Sequence, residues 1–127
     1  MLVRSLDDAP RNKRGGQVSH LLFAPGLGSH GLSVTWVRGE PGSQQGLHVH
    51  EENEQIYVVV RGRGLMIVDG EERPIEAGGA VLIPAGSEHA IRNTGDELLE
   101  YVSATTPPFA AEITGETWRP SPGEPAR

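Results

Sequence analysis

The chain has 127 residues, among them 17 glycines and 10 prolines, no cysteine, and a formal net charge of -6. That length suits one domain whose core needs no covalent staple, and the missing cysteine excludes disulfides, thiolate metal sites, iron–sulfur clusters and cysteine nucleophiles. The acidic balance argues against a non-specific grip on nucleic acid or anionic lipid, and no apolar run approaches the ~20 residues of a membrane-spanning helix, so a cytoplasmic protein is expected.

Residues 1–17 read as a basic arm, in which Arg4, Arg11, Lys13 and Arg14 cluster ahead of the first apolar run as a solvated terminus would. Short runs then follow at 18–24, 32–38, 55–60, 65–68, 80–83, 90–92 and 98–104, several rich in β-branched residues. Turn chemistry separates them. Glu40-Pro41-Gly42 and Pro84-Ala85-Gly86 are sharp stops, Asp69-Gly70 is a two-residue hairpin signal, and Asn93-Thr94-Gly95-Asp96 marks another reversal. No stretch sustains a helical period. Many short strands joined by tight turns indicate an all-β sandwich or barrel. From 107 the chain turns Pro-rich, and Trp118 there suggests packing on the barrel or on a partner subunit.

The residues with chemistry lie between these runs. In His48-Val49-His50, positions i and i+2 of an extended segment present two imidazoles to one face, as a chelating pair requires; alone, such a pair is weak evidence. His20 and His30 lie apart from it and read as ordinary histidines. Trp36 reads as a core residue, Arg61 and Arg63 as a solvated pair, and Ser87 as a turn residue. Lys13, the sole lysine, offers no Schiff-base candidate.

The wider spacing says more. Gly42, His48, His50, Gln55 and Gly62 form one spaced block, and Gly78, Pro84, Gly86, His89 and Asn93 a second. These resemble the two cupin motifs, the second at every position and the first at all but one, and the resemblance extends over about residues 18–104. It implies a single-domain double-stranded β-helix, the cupin jelly-roll barrel, over residues 18–106, with 107–127 as a tail. It further implies that His48, His50 and His89 hold one divalent transition metal (Fe, Zn, Ni, Mn or Cu) inside the barrel, and that the chain pairs as a homodimer.

The departure is Gln55, which stands where the family has glutamate, with Glu54 immediately before it. Strand parity puts Gln55, Tyr57 and Val59 on one face and Glu54 on the other. Gln55 is therefore read as the fourth ligand through its amide oxygen. Glu54 remains the alternative if a bulge shifts the register, and Gln55 could instead orient a histidine. An all-neutral ligand set would leave the metal its full charge, favouring an anionic small-molecule substrate. It weakens the case for the manganese oxidase and decarboxylase chemistry of seed-storage-like cupins. Tyr57 shares the inward face, as an acid–base helper or a plain core tyrosine. The expected function is a metal-dependent small-molecule enzyme, either a dioxygenase or a Lewis-acid isomerase, lyase or cyclase. A non-catalytic binding module is the alternative.

Overall fold

The computed structural model describes residues 1–108. After a 3₁₀ turn at Leu6–Asp8 come nine strands: β1 (Arg11–Arg14), β2 (Gln17–Phe23), β3 (Ser33–Gly39), β4 (Glu54–Arg61), β5 (Arg63–Val68), β6 (Glu71–Glu76), β7 (Ala80–Ile83), β8 (His89–Asn93) and β9 (Leu99–Thr106). They form two antiparallel sheets, one of six strands in the order β1-β2-β3-β9-β4-β7 and one of three in the order β6-β5-β8. The sheets close on a shared core. Val37, Tyr57, Val59, Ile83, Leu99 and Tyr101 enter it from the larger sheet, and Met66 and Ile91 from the smaller.

All seven expected strands are present, and two more join them. Both additions, β1 (Arg-Asn-Lys-Arg) and β6 (Glu-Glu-Arg-Pro-Ile-Glu), are edge strands. Charge and proline disguise a strand in the sequence, yet both suit an edge, where one side has no ladder to complete. The Asp69-Gly70 turn, with φ of 49° and 82°, joins β5 to β6 as a two-residue hairpin. Gly15-Gly16, at 60° and 81°, joins β1 to β2 in the same way. The sheet thus begins at Arg11, inside the stretch read as a solvated arm.

Backbone crowding decides where side chains are forbidden. Gly62 has φ +78° at the β4–β5 corner, and a Cβ there would collide with the Leu98 carbonyl. A Cβ on Gly64 would run into the carbonyl of Arg92. Asn93 fixes the reversal after β8: its Oδ1 accepts from the Gly95 amide at 2.9 Å, and its Nδ2 donates to the carbonyls of Gly39 at 3.1 Å and Glu97 at 2.8 Å.

Trp36 does not enter the core. It lies half-buried on the outer face of β3, its indole N–H donating to Glu100 at 3.0 Å. The expectation that the tail packs on the barrel or a partner falls on residues 109–127, which lie outside the described residues.

Candidate metal centre

Segment 42–48 runs antiparallel beside β8 without forming a regular strand. Gly42 and Gln45 donate to the carbonyls of Asn93 and Ile91, and His48 and His89 exchange both backbone hydrogen bonds, at 3.1 and 2.9 Å. Directly opposed residues of this kind project their side chains to one side. His50, two residues on, returns to that side, while Val49 between them is exposed. The pairing expected within a strand is thus supplied by an isolated bridge, and β8 brings in the third imidazole.

The three rings converge. Their centroids lie 5.1 Å (His48–His50), 4.2 Å (His48–His89) and 5.6 Å (His50–His89) apart, and one nitrogen of each falls within 4.8 Å of the others. The Nδ1 atoms of His48 and His89 face the carbonyls of Gly46 at 2.8 Å and Ser87 at 2.9 Å. A carbonyl only accepts, so each Nδ1 carries the proton and each Nε2 keeps its lone pair. This is how outer contacts usually prepare a histidine ligand. His89 Nε2 is buried with no partner among the described residues.

Protonation would oppose such a site, and the surroundings discourage it. Burial, and then the neighbouring His48 and His89, lower the His50 pKa from 6.5 to about 4. Burial also lowers that of His89, against the pull of the Ser87 carbonyl. Neutral imidazoles are the form that binds a metal. The donor set therefore fits a divalent ion: three imidazoles, two with tautomers fixed, and a buried Nε2 with nothing else to bind.

Parity at the start of β4 falls as the alternation suggests. Gln55, Tyr57 and Val59 are buried, and Glu54, Ile56 and Val58 are exposed. Gln55 Nε2 donates to Ser103 Oγ and Thr105 Oγ1, each at 3.2 Å, and its Oε1 is left buried with no partner among the described residues. Gln55 lines the same cavity as His48 and His50, and Glu54 does not.

That cavity, about 560 Å³, opens along the inner face of β1, β2, β3, β9 and β4. Tyr57 lines it, stacked on Tyr101 with ring centroids 4.7 Å apart. Full burial pushes the Tyr57 hydroxyl up to about 12, with a hydrogen bond to Gln45 working the other way. It is a neutral donor and a poor base. Sequence reasoning missed Tyr101, Ser103, Gln45 and Arg14, all of which line the cavity. Parity along the 98–104 run could have found the first two. Gln45 and Arg14 stand in stretches with no periodic signal, although Gly15-Gly16 is itself a hairpin signal that would have brought Arg14 into the sheet.

Comparison with known proteins agrees with this geometry. A family model described as Cupin domain matches residues 35–105. The oxalate-binding protein of Thermotoga maritima is 34% identical over 110 residues, covering 81% of this chain and 91% of that one. Polyketide synthase CurC of Streptomyces cyaneus is 33% identical over 98 residues, which make up 77% of this chain and 64% of CurC. Among solved structures, a predicted oxalate decarboxylase of Thermotoga maritima superposes with a TM-score of 0.75 at 27% identity, covering 84% of this chain and 98% of that one.

Proposed function

The chain belongs to the cupin family, and from that premise we propose that it is a metal-dependent enzyme acting on a small organic acid. One divalent transition metal would be held by His48, His50 and His89, with the amide oxygen of Gln55 as fourth donor. When bound, such an ion supplies Lewis acidity or, if redox-active, a centre for oxygen chemistry. The observation that carries this reading is the convergence of three imidazoles, two of them lining the cavity, with the buried acceptors His89 Nε2 and Gln55 Oε1 unclaimed among the described residues.

The chain's own residues have separable parts in this reading. Gly46 and Ser87 fix the histidine tautomers through their carbonyls. Ser103 and Thr105 hold the Gln55 amide nitrogen, which turns its oxygen the other way. Tyr57, kept protonated by burial, is the candidate hydrogen-bond donor to a substrate oxygen. The Thermotoga relative that binds oxalate supports an organic acid as substrate.

A second reading, a binding module without catalysis, is favoured by one observation. Among the described residues no carboxylate lines the cavity, so apart from the histidines they offer it no group suited to act as a general base near neutral pH. Elemental analysis of protein purified without chelating resin, beside His48→Ala/His50→Ala, tests the metal. About one equivalent in the wild type and none in the double variant is expected. Failure to retain or take up iron, zinc, nickel, copper or manganese would sink the reading.

We further infer a homodimer. The outer face of the large sheet supports it, because two rows of apolar side chains cross four strands there. Val34, Ala104, Ile56 and Leu82 form one row, and Trp36, Val102, Val58 and Ala80 the other. Ile56 is 42% exposed and Leu82, its partner on β7, 56%, an exposed apolar pairing of the kind that marks an interaction surface.

A further inference from the structure

We propose that the cavity takes an extended carboxylic acid whose carboxylate docks on Arg14 while its other end reaches the histidines. This deepens the functional reading above and rests on its placing the reacting end at His48, His50 and His89.

The first support is charge. The chain carries 17 acidic residues, yet among the described residues none lines the cavity, and Arg14 is the one described lining side chain with a permanent charge. An acidic protein has here a hollow walled by amides, hydroxyls and a guanidinium, a surface that repels no anion and attracts one.

The second is placement. On the β1–β2 hairpin Arg14 pairs with Gln17 and Asn12 with Ser19, and all four line the cavity. Gln17 is buried, so the partner directly opposite it is turned to the same inner face. The hairpin tip is held as well. The Glu40 amide donates to the Gly16 carbonyl at 3.1 Å, and the Cβ position of Gly15 lies 3.2 Å from the Gln44 carbonyl oxygen. The guanidinium therefore stands on an anchored strand rather than on a free terminus.

The third is spacing. Gln44, against which the hairpin tip rests, pairs with Arg92, and His48 pairs with His89. Arg92 and His89 are three residues apart on β8, or about 10 Å. Val37, Leu47, Tyr57 and Tyr101 line the cavity as well and suit an apolar body. The ligand class that fits is an acid with a second polar group several bonds from its carboxylate. A lone guanidinium matches a carboxylate monoanion through paired N–H donors. Among the described residues no second permanent cation lines the cavity to offset a phosphate dianion.

The test uses metal-replete protein and the α,ω-dicarboxylates from oxalate to suberate as probes, with binding measured by calorimetry. Affinity should rise with chain length. Arg14→Gln should weaken the longer acids by about 10- to 100-fold while changing oxalate less than about threefold, and Arg14→Lys should restore part of the loss. Arg14→Gln binding every member as the wild type does, or losing oxalate as heavily as suberate, would overturn the proposal. So would a wild type that binds none of them. Metal content measured on the same samples separates the two readings. Arg14-dependent binding by protein that takes up no metal overturns the metal site alone, whereas full metal with no Arg14 dependence overturns the docking alone.

Discussion

Across the six-stranded sheet the inner face carries Gln17, Ser33, Gln55, Ser103 and Thr105, all buried, while the outer face carries Val34, Trp36, Ile56, Val58, Leu82 and Val102. That inner face also carries the core residues Val37, Tyr57, Val59, Ile83, Leu99 and Tyr101. The sheet therefore departs from the ordinary pattern, apolar within and polar without, by mixing buried polar side chains into its inner face and exposing apolar ones outside. Buried polar groups cost free energy unless each finds a partner. Here one amide meets two hydroxyls, and Gln55 Oε1 and His89 Nε2, two of the buried polar atoms with no partner among the described residues, belong to the cavity wall and the histidine cluster. The polar part of the inner face is what a ligand site requires. The apolar outer face contributes nothing to that site. The smaller sheet does neither job alone; it supplies Met66 and Ile91 to the core and His89 to the cluster.

The comparison breaks most sharply under substitution on each face. His89→Ala should weaken zinc binding by at least about 100-fold in a chelator competition, since one of three imidazole donors is lost. Ile56→Lys/Val58→Lys, on the opposite face, should leave zinc affinity within about twofold. A comparable fall from both would mean that the two faces are not independent.

The same double lysine variant should act on assembly instead. Sedimentation should show the wild type as a dimer and the variant as a monomer at the same concentration, because buried unpaired ammonium groups are strongly unfavourable at an interface. A monomeric wild type would remove the homodimer, and the apolar face would then need another cover, the 109–127 segment included.

Gln55→Glu sharpens the inner face through an effect of two signs. Without metal, a carboxylate in that buried position should cost about 1–3 kcal/mol. With metal bound it should stabilise, so the gap between metal-free and metal-loaded melting temperatures should widen. An unchanged gap would show that position 55 does not face the ion.

The smallest effect is on pH. In the metal-free protein burial holds His50 down to about 4, and it also lowers His89 and His20. A lowered pKa in the folded state means that the unfolded chain binds protons more readily. The stability held above about 6.5 is therefore lost as pH falls toward 4. Melting temperature should drop by a few degrees over that window, and bound metal should flatten the drop until acid displaces it. A flat metal-free profile would mean that these imidazoles are better solvated than the fold implies.

Much of this molecule is legible in its residues because the signals are local. Alternation fixes which side of β4 is buried, so that Gln55 and not Glu54 faces the cavity. Asp69-Gly70 and Pro84-Ala85-Gly86 have backbone preferences that few other short sequences share. Two spaced motifs bring three histidines into one reading. What escaped the sequence is edge and wall. β1 and β6 carry charges and a proline because an edge tolerates them, and that composition hides a strand. Trp36 reads as core on hydrophobicity alone, yet it faces outward with Glu100 as its partner.

The sequence by itself determined seven of the nine described strands and the turns, which depend on residues within a few positions of one another, and its two spaced motifs singled out the three candidate donors. Only the tertiary structure decided that His48 lies opposite His89, that Ser103 and Thr105 orient Gln55, and that Arg14 stands at the same cavity. The physical reason is that these contacts are made between strands distant in the chain. Their geometry is set by sheet register and closure, which no local preference encodes.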